Sequence, residues 1–181
     1  LSKNWLSRAF GIIKQEQKVG AVWGLAIPIE RHTYNIAKSM ARFYRMNIRD
    51  MLLKQMRSER CMMHDTIIRT ETVKDIQIPK DLHIWEDDYI GRHLIKKGYR
   101  FLKVKKPYCL HNVSEKGVGN FILNGYLIKK HRLWKFKSVL LRFLLAIPKG
   151  LWIVLNTGDV QAGKTQMLSY AFLLKGWLLA T

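Results

Sequence analysis

The stretch Trp85-Glu-Asp-Asp-Tyr-Ile-Gly-Arg-His-Leu-Ile-Lys-Lys-Gly98-Tyr-Arg-Phe-Leu-Lys-Val104 holds a helix, a stop signal and a strand in direct succession. The pattern predicts a helix over Asp88 to Lys97, closed by Gly98 just past its end, and a strand from Tyr99 to Val104. Working towards the N-terminus, Gly20-Ala-Val-Trp-Gly-Leu-Ala-Ile27 reads as a buried strand, because it is an unbroken apolar run whose glycines admit close neighbours. Pro28 ends it. Lys3 to Glu16 reads as a helix, since Trp5, Leu6, Phe10, Ile12 and Ile13 fall near one face. Glu30 to Arg60 contains no Gly or Pro and reads as helical, with Arg42, Arg45 and Arg49 as a cationic stripe on a solvated face. Thr66 to Arg69 and Val73 to Ile78 are strand-like pieces, the second ended by Pro79. This alternation predicts an α/β core.

The charge balance narrows the partners. The 181 residues carry 32 Lys and Arg against 13 Asp and Glu, a formal charge of +19, so the protein needs an anionic surface or ligand. With 48% hydrophobic residues the chain has material for a core and is not a disordered polyelectrolyte. Cys61 and Cys109 are the only cysteines, which excludes a disulfide scaffold and a cysteine-based zinc site and suits a reducing compartment. Residues 1–113 hold 22 basic and 11 acidic side chains; residues 114–181 hold 10 basic and 2 acidic, mixed with long apolar stretches. The composition shift near Ser114 to Gly119 predicts a boundary there.

Beyond that boundary, Val118 to His131 reads as a helix followed by Arg132, Lys135 and Lys137 interleaved with Trp134 and Phe136. Ser138 to Leu155 is almost wholly apolar, with Pro148 expected to kink or divide it. Lys135, Arg142 and Lys149 recur every seven residues, which on a helix puts them on one side. Burying those charges in a spanning helix would cost roughly 2.5 to 3.5 kcal/mol each. An interfacial helix on anionic headgroups is preferred for that reason, with a soluble bundle and a spanning or re-entrant segment as alternatives. Basic residues between aromatics also suit single-stranded nucleic acid, but no nucleic-acid module is recognisable, and no nucleic acid is expected.

Two motifs bear on chemistry. Glu86-Asp87-Asp88 stands where a helix begins, and two readings remain open: carboxylates favoured by the helix dipole, or mutually repelling carboxylates of which one is tuned to accept a proton. Gly158-Asp-Val-Gln-Ala-Gly163-Lys164-Thr165 fits the phosphate-loop pattern after the strand-like Leu151 to Leu155, but only 16 residues follow it. A polar turn between two apolar helices is the preferred reading. His32, His64, His83, His93 and His131 lack neighbours at ligand spacing and read as surface or helix-face residues.

The order Glu86-Asp87, Ile90, Leu94, Gly98-Tyr99, strand, Pro and Leu110-His111 resembles the second half of an inverting family 2 glycosyltransferase with the GT-A fold. Val19-Gly-Ala-Val-Trp-Gly-Leu-Ala-Ile-Pro-Ile-Glu-Arg31 and His64-Asp-Thr-Ile-Ile-Arg69 resemble its glycine-containing segment and its connecting strand. The resemblance implies that residues 1–113 are the C-terminal half of a Rossmann-like catalytic domain and residues 114–181 a helical, membrane-associated tail. It also implies Asp87 as the base that deprotonates the acceptor hydroxyl, Glu86 in support, and His111 on a Mg²⁺ or Mn²⁺ ion. Gly24 is the candidate for close approach of donor sugar or acceptor. The implied partners are a nucleotide-sugar donor, a glycan or lipid-linked acceptor and an anionic membrane surface, on the cytoplasmic face. The family's nucleotide-binding strands and Asp-x-Asp motif precede the matched region, and no Asp-x-Asp occurs in this sequence, so the expectation is a portion of a longer enzyme. A non-catalytic basic membrane-binding module is the alternative.

Overall fold

The computed structural model describes residues 1–55, 65–82, 84–112 and 119–180. Among them the protein is mixed α/β, with a three-stranded sheet and eight helices. The chain divides into two compact units. The first comprises Leu1–Pro28 and Arg49–His111; the second comprises Ile29–Ile48 and the residues from Asn112 onward. The residues 113–118, where the sequence places its boundary, lie outside the described ones, and the second unit also takes in 29–48.

Unit 1 is built on strand β1 (Val19–Pro28), which pairs antiparallel with β2 (Thr66–Ile68) and parallel with β3 (Arg100–His111), in the order β2-β1-β3. A central strand covered on both faces must be apolar at every position, which is why β1 lacks the alternation of a half-exposed strand. On one face Ala21 and Trp23 pack with Phe101 and with Ile90 and Leu94 of α5 (Glu86–Lys96). On the other, Val19 and Val22 pack with Ala9 and Ile13 of α1 (Trp5–Gln15). Gly98, at φ 80°, closes α5 as the sequence predicts, and the Tyr99 N–H returns to the Leu94 carbonyl at 3.0 Å.

Several expectations are corrected. The 30–60 stretch forms α2 (Arg31–Phe43) and α3 (Ile48–Gln55), residues 56–64 being outside the described ones. The break between them puts Arg45 in the left-handed region at φ 51°, with Arg45 N–H bonded to Arg42 O and Met46 N–H to Ala41 O. Arg42, Arg45 and Arg49 therefore do not share one helix face. Val73 to Ile78 is no strand: β2 ends at Ile68, and α4 (Thr70–Val73) follows, started by the Thr72 hydroxyl donating to Arg69 O at 2.6 Å. β3 runs on to His111, past an irregularity in register between Trp23 and Leu25 of β1.

Unit 2 consists of α2, α6 (Gly119–Lys130), α7 (Phe136–Thr157) and α8 (Val160–Leu179). Pro148 lies inside α7 without dividing it. Helices α6 and α8 meet where Gly125 and Gly176 lie: a Cβ on Gly176 would fall 1.8 Å from Ile122 O, and one on Gly125 2.0 Å from Leu173 O. Helices α7 and α8 meet at Gly150 and Gly163, whose missing Cβ atoms would lie 2.8 and 2.7 Å from each other's carbonyl oxygens. Backbones approach this closely only where no side chain intervenes.

Candidate functional site

Ile90 and Leu94 anchor α5 on the sheet, and that anchoring fixes the three acids of its first turn. Asp88 is 1% exposed, and its Oδ2 accepts from Arg92 Nε at 2.9 Å one turn along the helix. This ion pair on an i, i+4 spacing, buried at its Asp88 end and partly exposed at Arg92, holds the turn together. Asp87 is also buried, and its Oδ1 accepts the Asp88 backbone N–H at 2.7 Å. The Glu86 Oε2 atom is buried and has no hydrogen-bond partner among the described residues. The acid run thus divides: Asp88 is spent on an arginine, Asp87 is oriented by backbone, and Glu86 keeps an unsatisfied oxygen.

His111 closes β3 directly beside Pro28 at the end of β1, the carboxyl end of the parallel pair. Among the described residues no three His, Cys, Asp or Glu side chains gather around one point. His111 alone is a poor site for Mg²⁺ or Mn²⁺, which take several oxygen ligands, so the described residues do not by themselves fit the implied ion and no chemical step is derived through it.

Gly24 is placed differently from the expectation. A Cβ there would lie 2.0 Å from Asp65 Oδ2 and 2.4 Å from the Pro107 carbonyl oxygen. The space left by the missing side chain is filled by the protein's own carboxylate and is not open to a sugar. Asp65 is a residue that sequence reasoning missed. It is 2% exposed, and neither carboxylate oxygen accepts a hydrogen bond among the described residues. Burial raises its pKa to about 6, although the nearby Trp5 indole opposes the shift without meeting hydrogen-bond geometry. Burial, and then the Asp65 charge, also push the Cys109 thiol up. The only sequence signal was an acid beside an apolar strand, Asp65 before Thr66-Ile-Ile.

A second missed cluster lies in unit 2. Asp159 caps α8, with Oδ1 accepting Ala162 N–H at 2.9 Å, while Oδ2 lies 2.7 Å from His32 Nδ1 and 2.9 Å from Asn35 Nδ2. His32 and Asp159 are 127 residues apart, so no spacing rule could pair them. The phosphate-loop reading of 158–165 fails here. Leu151 to Leu155 is helix, Gly158 closes α7 at φ 68°, and Val160 to Thr165 is the opening of α8. The turn between two apolar helices is what the structure holds.

A cleft of about 570 Å³ in unit 1 is lined by Arg8, Lys103, Lys105 and Lys106 along with Ser7 and Gln15 of α1. It does not include Glu86, Asp87 or His111. Compared with known proteins, the chain matches no family model, no curated protein and no solved structure.

Proposed function

We propose that the protein carries the acceptor side of an inverting sugar transfer at a membrane surface, with Asp87 as the base and a nucleotide-sugar as donor. The GT-A, Rossmann-like assignment belongs to this proposal. The observation that carries it is the division within the acid run. Asp88 is paired with Arg92, and Asp87 is buried at a helix N-terminus with its Oδ1 held by the Asp88 N–H, next to a Glu86 oxygen that no described residue satisfies. A base must be held in a fixed position, and the Asp87 carboxylate is held by the first turn of the helix it belongs to. The acceptor, a glycan or a lipid-linked hydroxyl or phosphate, would lose its proton to Asp87 as it attacks the anomeric carbon. A divalent cation on His111 would need further ligands from outside the described residues.

Transfer assays on the whole protein with a panel of nucleotide-sugars test the reading. Asp87→Asn keeps the shape and removes the basicity, so turnover should fall at least ~10²-fold while donor affinity stays. Asp88→Asn, which breaks the Arg92 pair, should act on stability before it acts on turnover. Near wild-type turnover in Asp87→Asn would sink the assignment. Absence of transfer with every donor, in a protein that still binds vesicles, would favour the second reading, a non-catalytic membrane-binding module, for which the apolar surface of α7 speaks.

A further inference from the structure

We infer that the leucine ridge of α7 is the part of the protein that enters a membrane, lying along one leaflet of an anionic bilayer with its apolar side among the acyl chains. The inference rests on the membrane half of the proposed function and not on sugar transfer.

Leu141, Leu144, Leu145, Pro148, Leu151 and Leu155 follow one another at helical spacing and are all exposed, Leu141 at 57% and Leu155 at 85%. The opposite side of α7 is used already, by Ala146, Gly150 and Ile153, which are buried, Gly150 against Gly163 of α8. A continuous apolar stripe of this length, left uncovered, marks a contact surface. Three observations choose the bilayer as its occupant. The first is charge: the second unit carries fourteen Lys and Arg against Glu30, Glu115 and Asp159, which attracts anionic headgroups and repels a second copy of itself. The second is the way the helices pack, through glycines that bring backbones together at both α8 crossings, the packing that serves where apolar burial alone cannot hold helices together. The third is the shelter given to the cations of α7. The Arg142 guanidinium lies 4.7 Å over the Trp134 ring and the Lys149 ammonium 5.4 Å over the Tyr44 ring, which keeps both off the ridge. The sequence pattern placed these two, with Lys135, as the membrane-facing stripe; in the structure Lys135 precedes the helix, and the exposed stripe is leucine.

The ridge runs in the plane of the bilayer for a geometric reason. α7 as a whole is long and apolar enough to cross a membrane. From Leu141 to Leu155, however, the uncovered ridge rises about 21 Å, short of a hydrocarbon core of about 30 Å. α2, with Lys38 and Arg42 exposed on it, lies along the same helix, where Ser39 O accepts from Trp152 Nε1 at 3.1 Å and Ser39 Oγ from Asn156 Nδ2 at 3.1 Å. Those charges stay in water if α7 lies flat and would be dragged into hydrocarbon if it crossed.

Flotation of the full chain with vesicles of phosphatidylcholine and phosphatidylglycerol tests this. The expected result is binding that persists in salt strong enough to screen surface charge, and a loss of at least ~10-fold in that salt-resistant fraction for Leu144→Lys/Leu151→Lys. Circular dichroism checks that the variant is folded, and Leu155→Lys, at the most exposed position of the ridge, decides the matter if the double variant is not. Wild-type-like flotation of a folded ridge variant would overturn the inference, as would complete release of the wild type by salt. A dimer that the lysines dissociate, in a chain that never floats, would give the ridge to a second copy and overturn it equally. Transfer to a water-soluble acceptor keeps the readings apart, because activity without flotation refutes the ridge and leaves Asp87 standing.

Discussion

Asp65 in the sheet unit and Asp159 in the helical unit are both nearly out of water, at 2% and 8% exposed, yet they meet opposite surroundings. Asp65 sits against Gly24 with no donor satisfying it among the described residues, and its pKa rises from 3.8 to about 6. Asp159 also feels burial, but the Ala162 N–H, Asn35 and His32 outweigh it and bring its pKa down to about 2. A carboxylate out of water costs stability unless donors replace its hydration, and these two show both outcomes in one chain. The lesson concerns design of place: Asp159 is at a helix start where donors converge, and Asp65 is wedged beside a central strand whose donors are used in the ladder.

The largest expected consequence is pH dependence in the sheet unit. A raised folded pKa contributes stability that is complete below the unfolded value of 3.8 and lost as pH climbs through about 6, on the order of 3 kcal/mol for this shift. Hydrogen exchange of β1 amides, corrected for intrinsic rates, should show that loss, and Asp65→Asn should flatten it. A slope that survives the substitution would remove Asp65 from the comparison. Asp159 runs the other way. Its lowered pKa contributes stability present above 3.8 and lost only as pH falls towards about 2, so the helical unit should hold where the sheet unit weakens.

The next effect probes how the helices pack. Gly176→Ala should cost about 2 kcal/mol in denaturant unfolding despite the better helix propensity of alanine, because its Cβ would meet the Ile122 carbonyl at 1.8 Å. Unchanged stability would mean that α6 and α8 separate without penalty. Asp159→Ala follows at about 1 to 2 kcal/mol, the value of a cap with additional side-chain donors. That loss should be seen at neutral pH and shrink as pH falls towards about 2, where the carboxylate begins to be protonated in the folded chain. The smallest effect has the opposite sign. Gly11 in α1 has open space where a Cβ would go, so Gly11→Ala should stabilise by about 0.5 to 1 kcal/mol. A loss at Gly11 would show that the glycine serves some purpose beyond helix geometry.

Much of the α/β core was legible because its signals are local. The unbroken apolar run of β1, the Gly98 stop after α5 and the apolar face of α1 each depend on residues within a few turns of one another. The acids of α5 were legible as a helix start, though not their division, since the Asp88–Arg92 pair needed the burial of that turn to matter. The break after α2 was not legible. An arginine takes the left-handed position there, and another, Arg132 at φ 52°, does the same after α6, where a sequence rule looks for glycine or asparagine.

By itself, then, the sequence determined where the chain could be helix or strand, how basic it is, and which helix has an apolar surplus, because periodicity, composition and turn chemistry act over short distances. Tertiary structure decided which surplus is covered and which is left bare. It filled the gap at Gly24 with Asp65, joined His32 to Asp159 across the chain, moved Arg142 and Lys149 onto aromatic rings and left the leucines of α7 outside. Each of these is a competition for space or for a hydrogen-bond partner among residues far apart in the chain, and such competitions are settled only when the elements pack.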